Sequence, residues 1–349
     1  MLRMTGVFAQ EVLNLAGLIT HYICGQAAID ALEFTRPGLA AALRRNRQLF
    51  NVGAQGPDVF FYYLPCLYRR GLQGLGQRMH NGGVSDFFAA FLKLMGELPE
   101  DRRAGAFAYL AGYITHYALD CATHPYIYYK TGFRRKGEKR PRLKKLRCSV
   151  NHRRFETNID VLMLKATSSE RPADKKLWQL LRVPYKTASA TADVLSRAIS
   201  EVYHVRLNSR QVYAAMYEMA AANRIIQSRR GRRKRVMELI EGATVREHVI
   251  SSLIHSQEVA DGIDYLNLAH TDWNLPWDGG SPINKDFIEL YAGAVESAAD
   301  MIGAVGAYFG GKLELPALLA ILGNNSFSTG EDAAEPREFI YSDVVYKRA

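Results

Sequence analysis

The sequence has no apolar run that could cross a bilayer without carrying charge with it. Its most apolar long window, Ala104 to Thr123, contains His116 and Asp120, and a spanning helix would take both into hydrocarbon. A buried core helix suits that window better. The four cysteines, Cys24, Cys66, Cys121 and Cys148, form no CxxC pair and no dense spacing, so no disulfide framework is implied. Twelve prolines and 28 glycines are ordinary usage; collagen-like and low-complexity readings drop out, and no fixed-period repeat is present. The strict alternation of buried and exposed positions that marks strands is almost absent. There is no P-loop, no GxGxxG fingerprint and no GxSxG elbow, which removes the usual nucleotide-binding and serine-hydrolase signatures. After Met1-Leu2-Arg3, the polar residues Gln10, Glu11 and Asn14 fall where a secretory apolar core would be unbroken, and a cytoplasmic location is the expectation.

What is present is the balance of a folded protein: 349 residues, 48% hydrophobic and 23% charged, enough to bury a sizeable core. Apolar residues recur at helical spacing over Val7 to Ile29, Pro37 to Phe50, Ser85 to Leu98, Ala104 to Thr123, Val150 to Lys165, Thr187 to Val205, Ser209 to Gln227, Lys234 to Asp264, Lys285 to Tyr308 and Leu315 to Leu322. The spacing predicts an all-α body of about ten helices, punctuated at Gly53 to Pro57, Gly71 to Gly83, Gly132 to Leu146 and Leu275 to Pro282. No flexible linker divides the chain, so residues 1–325 are expected to form a single domain and the polar residues 326–349 a poorly ordered tail.

The net charge of +10 is concentrated. Lys130 to Arg147 holds ten Lys/Arg against one Glu, and Arg229 to Arg235 holds six basic residues in seven, so the remainder of the chain is mildly acidic. Such runs are either solvated faces or patches that attract phosphate-bearing partners and membrane anions.

The residues that carry chemistry are histidines in company with acids. In Thr115-His116-Tyr117-Ala118-Leu119-Asp120-Cys121-Ala122-Thr123-His124-Pro125, positions i, i+4 and i+8 are His, Asp and His. Four residues turn a helix through about 400°, so all three side chains point into one volume. Pro125 disfavours helical backbone at His124, which predicts that the helix ends there and that His124 is aimed apart from the other two. A second pair, His152 and Glu156, repeats the i, i+4 spacing beside the apolar positions Phe155, Ile159 and Leu162, an arrangement that zinc uses often. His21 interrupts an apolar stripe, Asp58 lies in the turn Gln55-Gly56-Pro57-Asp58, and His80 follows Met79 ahead of Gly82-Gly83. Singly, each reads equally as a core histidine, a turn aspartate or a loop histidine.

Their joint order is more telling: His, then Gly-Pro-Asp, then Met-His, then His-x3-Asp-x3-His-Pro, then His-x3-Glu. That order resembles the zinc-dependent phospholipase C family and, more distantly, the S1/P1-type nucleases, over residues 21–156. The resemblance implies an all-α fold of that type and a cluster of two or three zinc ions that hydrolyses phosphodiesters. It implies that Asp58, His80, His116 and Asp120 hold one zinc, that His124, His152 and Glu156 hold a second, and that His21 and Asp120 contribute to a third, Asp120 bridging. By the same analogy Asp58 orients the attacking water or takes its proton. Secreted members complete the third ion with an N-terminal tryptophan; the tryptophans here are Trp178, Trp273 and Trp277, so the pattern departs at that ion.

Three functions follow, in order: a metal-dependent phosphodiesterase acting on a phospholipid head group or a similar phosphodiester, a single-strand nuclease, and a non-catalytic zinc-stabilised binding module. The segment 130–147 lies between His124 and His152 and is expected to emerge near the site, where it could touch an anionic membrane surface or a nucleic acid. The cluster His270 to Trp277 reads as a packed surface loop or a pocket lining, and His204, His248 and His255, without metal-type spacing, as surface or core residues.

Overall fold

The computed structural model describes residues 17–63, 74–134, 141–168, 170, 176–226, 232–244, 251–256, 258–259 and 261–346. Among these are thirteen α-helices: α1 Leu18–Thr35, α2 Pro37–Arg45, α3 Arg47–Gly53, α4 Leu75–Asn81, α5 Val84–Gly96, α6 Glu100–Thr131, α7 Pro141–Thr167, α8 Leu177–Leu180, α9 Tyr185–Tyr203, α10 Ser209–Ile226, α11 Arg232–Thr244, α12 Phe287–Phe309 and α13 Leu315–Leu322. Two 3-10 helices, Gly56–Tyr62 and Ser251–Leu253, join them. Apart from two isolated bridges, Trp273 with Ile283 and Asn325 with Asp332, no strand pairing occurs among the described residues.

The body is built around α6. Residues 108–120 of this helix are buried without a break, so it is apolar all round and other helices must cover every side. Alanines and glycines set how closely they approach. α1 and α12 meet α6 through Ala28, Ala118 and Ala298, all buried. α3 crosses α6 at Gly53 and Gly112, where a Cβ would fall 2.0 Å from the Tyr109 carbonyl oxygen and 2.1 Å from that of Phe50. Only glycine permits that backbone-to-backbone contact, and it brings the turn after α3 down onto His116. One hydrophobic cluster runs from Leu18 to Phe327 through α6, α5, α9 and α10.

Several boundaries differ from the periodicity. The helix expected to stop at Thr123 continues through Pro125 to Thr131. Proline withholds the N–H that would reach the Cys121 carbonyl, and the backbone of Gly330 packs against that carbonyl so closely that a Cβ there would lie 2.4 Å from its oxygen. The glycine-rich stretch 71–83 contains α4, α7 begins at Pro141 rather than Val150, and of the long pattern from Lys234 to Asp264 the described part comprises α11 as far as Thr244 and the 3-10 helix Ser251–Leu253, residues 245–250 lying outside the described residues. The start expected at Val7 lies outside the described residues.

The C-terminal segment differs most from expectation. Instead of trailing away after Asn324, it is strapped across the body: Phe327 is fully buried, Asn325 N donates to the Tyr117 hydroxyl, and the backbone N–H groups of Asp343 and Val345 donate to the carbonyls of Tyr129 and Lys130. Aromatic side chains spaced through a polar sequence do the anchoring, which an average over composition hides.

Candidate metal centre

Five elements deliver the eight singled-out side chains to one place. α1 carries His21, the 3-10 helix Gly56–Tyr62 carries Asp58, α4 carries His80, α6 carries His116, Asp120 and His124, and α7 carries His152 and Glu156. Three tight groups result, each with its ligand-type atoms within 4.8 Å of one another: Asp58 with His80 and His116, His21 with His116 and Asp120, and His124 with His152 and Glu156.

Asp120 stands at the junction. Its Oδ2 lies 3.1 Å from His116 Nε2 and 3.6 Å from His80 Nε2, while its Oδ1 lies 3.3 Å from His21 Nε2 and 3.7 Å from His124 Nε2. His80 Nε2 also faces Asp58 Oδ1 at 3.2 Å, and Glu156 Oε1 faces His152 Nε2 at 3.3 Å and His124 Nε2 at 3.4 Å. His124 is thus not turned away by Pro125. Because the helix continues, it stays on the face of Asp120 and spans the distance between Asp120 and Glu156.

Local structure explains the aim of each ring. His80 Nδ1 lies 2.7 Å from the Gly76 carbonyl and His124 Nδ1 lies 2.8 Å from the Phe327 carbonyl. A carbonyl only accepts, so in each ring Nδ1 carries a proton, and whenever the ring is neutral Nε2 presents its lone pair to the cluster. Gly56, at φ +51°, presses on the His116 ring, where a Cβ would fall 2.3 Å from Cδ2; this gives the Gly-Pro-Asp turn its glycine. His21 stacks on His116 with ring centroids 4.0 Å apart.

Burial makes the arrangement costly unless something positive sits in it. His21 Nδ1, both ring nitrogens of His116, Asp120 Oδ2 and His152 Nδ1 are buried with no hydrogen-bond partner, and such orphaned groups ordinarily cost free energy. His116 Nε2 and Asp120 Oδ2 lie 3.1 Å apart, in a group of ligand-type atoms that could hold an ion. The donor set, imidazole nitrogens and carboxylate oxygens without a thiol, fits zinc. No thiol joins these groups among the described residues, and burial pushes the Cys24 thiol up to about 12; Cys66 lies outside the described residues.

The electrostatics agree with a site that gathers protons when it lacks metal. Burial acts to raise the Asp120 carboxyl, but His116, His124 and His21 overcome it and hold Asp120 well below the usual carboxylate range. Burial likewise opposes ionisation of Glu156, and the His152 and His124 rings draw it down to about 2. For His124, burial disfavours the imidazolium, yet Asp120 and Glu156 together lift the ring to about 9. Burial is the governing influence on His116, which it lowers.

Three supports were not visible as motifs. Asp160, fully buried one turn beyond Glu156, accepts hydrogen bonds from Ile19 N (3.1 Å), Thr20 N (2.7 Å), Thr20 Oγ1 (2.5 Å) and His255 Nε2 (2.8 Å). It caps the first turn of α1 from α7 and so fixes His21 relative to Glu156. Phe327 places its ring 5.1 Å from that of His80 and 5.9 Å from that of His116, besides orienting His124. Tyr128 lies 4.8 Å from His152 and 5.6 Å from His124, ring to ring. Asp160 and Tyr128 each fall four residues after a metal-type ligand; Phe327, 171 residues beyond Glu156 in sequence, left no signal.

The other histidines fall elsewhere. His270 approaches Asp286 and Glu289 at the surface, but those carboxylates close the capping box of α12, each accepting the other's backbone N–H. Trp273 is buried and donates to the Lys285 carbonyl, so 270–277 is a packed loop whose Trp277 stacks on Phe339, which in turn touches Tyr128. His204 caps α9 in the left-handed region, and His248 lies outside the described residues. Only the two ends of the basic segment 130–147 are described; it joins α6, two turns past His124, to α7, three turns ahead of His152.

An all-helical body closing on eight imidazoles and carboxylates has the build of a multinuclear metal hydrolase. The chain matches the zinc dependent phospholipase C family over residues 20–205, more than half its length and the whole of the cluster, and it belongs to that family. It is therefore a zinc-dependent phosphodiester hydrolase acting on phospholipid-type substrates. Among curated proteins and among solved structures no match is found. No described helix is long and apolar enough to cross a membrane.

Proposed function

We propose that Asp58, His80, His116 and Asp120 hold one zinc, that His124, His152 and Glu156 hold a second, and that His21 and Asp120 contribute to a third, Asp120 bridging. The observation that carries this reading is the Asp120 carboxylate, whose two oxygens face different sets of histidines across a buried, otherwise unsatisfied cluster. Zinc bound there lowers the pKa of a bound water toward neutrality and neutralises charge that builds on phosphoryl oxygens.

The chain's own residues supply the rest. Asp58 is the least buried of the three carboxylates, so it can meet a water entering from solvent and accept its proton as oxygen attacks phosphorus. The oxygen–phosphorus bond to the leaving alkoxide breaks, and the proton from water ends on that oxygen. Asp120 and Glu156 remain ionised throughout, because the surrounding imidazoles hold both far below neutral pH. His152, the most exposed of the five ligand histidines, together with Tyr128, Phe339 and Trp277, borders the open side, and the basic segment 130–147 adds positive charge for the phosphate or for an anionic lipid surface.

The substrate we infer is a glycerophospholipid cleaved on the glycerol side of its phosphate. Zinc-loaded enzyme incubated with phosphatidylcholine vesicles is expected to release diacylglycerol and phosphocholine. Phosphatidic acid as the lipid product would move the cut to the other side, and hydrolysis of single-stranded DNA with no lipid product would replace the reading with a nuclease.

A further inference from the structure

Tyr128 stands one helical turn after His124 on α6, so the two side chains share the face that α6 turns to the cluster. Its ring lies 4.8 Å from that of His152 and 5.6 Å from that of His124, tilted by 44° and 56°. Phe339 of the C-terminal strap meets it edge-on at 5.1 Å. These contacts fix the ring and account for an aromatic side chain at this position. They do not account for the hydroxyl, since phenylalanine would pack in the same way.

The hydroxyl reaches toward the other side of the cluster. It is hydrogen-bonded to Ser328, and Ser328 Oγ donates in turn to Asn81 Oδ1 at 3.0 Å. Asn81 follows His80 at the end of α4 and is exposed. The phenol therefore bridges from His152 and His124 to the residue beside His80, half-buried at the more open side of the site. The carboxylates of Glu156, Asp120 and Asp58, one from each of the three ligand groups, all lie close enough to act on it. A phosphoryl group that comes to the cluster from this side passes an O–H donor already fixed over it.

We infer that the Tyr128 hydroxyl contacts the substrate, donating a hydrogen bond to a non-bridging oxygen of the phosphoryl group. Ser328 gives its own proton to Asn81, so in the empty site its oxygen can accept that of Tyr128. Rotation about the C–O bond carries the Tyr128 proton from Ser328 to a phosphoryl oxygen without moving the ring. An anionic acceptor makes the new bond stronger than the one given up, and it strengthens again as negative charge builds on the phosphoryl oxygens in the transition state. Tyr128 is then a catalytic residue, and Ser328 and Asn81 are positioning residues that set where its oxygen lies. The inference rests on the zinc placement proposed above, and it holds for a lipid or a nucleic acid because the phosphodiester is common to both.

The test compares the zinc-loaded full chain with Tyr128→Phe and Ser328→Ala. Tyr128→Phe keeps the ring against His152, His124 and Phe339 and removes only the oxygen, so zinc per chain by elemental analysis should equal that of the parent. Inorganic phosphate, titrated calorimetrically, should bind Tyr128→Phe about tenfold more weakly, and kcat on bis-p-nitrophenyl phosphate should fall roughly a hundredfold. Ser328→Ala leaves the phenol in place and should lose less on both readouts. Phosphate affinity and kcat equal to those of the parent in Tyr128→Phe, at equal zinc content, overturn the assignment of Tyr128 alone. Loss of zinc in Tyr128→Phe that accounts for its lost turnover also overturns it, because Tyr128 would then act through the ligands. A parent that takes up neither zinc nor phosphate overturns the zinc placement and this inference together.

Discussion

Gly56 shows how much of the centre hangs on single atoms. With φ at +51° and a Cβ 2.3 Å from the His116 ring, Gly56→Ala must displace His116 or distort the turn that carries Asp58. The expected cost is about 1–3 kcal/mol of stability and about 10–100-fold in zinc affinity, read by chemical denaturation and by competition with a chromogenic chelator. Asp160 acts at the same scale but through another side chain. Asp160→Ala leaves two buried backbone N–H groups, the Thr20 hydroxyl and His255 without their acceptor, a loss of about 3–5 kcal/mol. Because Asp160 positions His21, Asp160→Asn, which keeps the shape, is expected to weaken zinc binding by more than it lowers the melting temperature would suggest. Equal zinc titrations in parent and Asp160→Asn would reduce Asp160 to a purely structural role.

Between elements, the C-terminal strap and the α3–α6 crossing hold the site in register. The Phe327 ring meets that of His80 edge-on and that of His116 at a tilt, and its carbonyl accepts from His124, so deleting residues 324–349 should remove first the ion proposed for His124, His152 and Glu156, with one zinc fewer by elemental analysis. Phe327→Leu should retain that ion better than Phe327→Ala, since it refills most of the buried volume. The helices themselves were legible in the sequence because α6 is a long run of apolar and small residues without strand alternation, and α5 and α9 carry clear one-sided helical stripes. The continuation past Pro125 was not, because the local preference that proline imposes argues for a stop, and the packing of Gly330 against the Cys121 carbonyl comes from more than 200 residues away in sequence. The strap was hidden for the same reason: one buried phenylalanine outweighs a polar composition, and the pairing is entirely long-range.

The whole molecule couples folding, protons and metal. In the zinc-free chain, folding raises His124 from 6.5 to about 9, so its imidazolium contributes stability that is fully present below pH 6.5 and lost as pH rises through about 9. Glu156, drawn from 4.5 down to about 2, contributes stability present above pH 4.5 and lost as pH falls toward about 2. Chelator-treated protein should therefore melt at progressively lower temperature as pH rises from about 7 to about 9. Zinc binds only the unprotonated ring and releases protons on binding, so the gap in melting temperature between loaded and stripped protein should widen over the same interval. A gap that is constant or narrows would remove His124 from the ligand set.

Five of the eight cluster residues were readable from spacing, since the i, i+4 pairs on α6 and α7 dictate local geometry, whereas His21, Asp58 and His80 entered only through the resemblance of their joint order to the family. What spacing could not display was which histidines each Asp120 oxygen faces, a division that is a product of how α1, α4 and α6 meet. That division is the centre of the account, and elemental analysis of protein purified without chelator, beside Asp120→Ala, tests it most directly, with hydrolysis of bis-p-nitrophenyl phosphate followed in both. Two or three zinc ions per chain in the parent, with fewer in Asp120→Ala and turnover down by at least about a hundredfold, is the predicted result. Equal zinc content and equal turnover in the two proteins, or a parent that takes up no zinc on reconstitution, would contradict it.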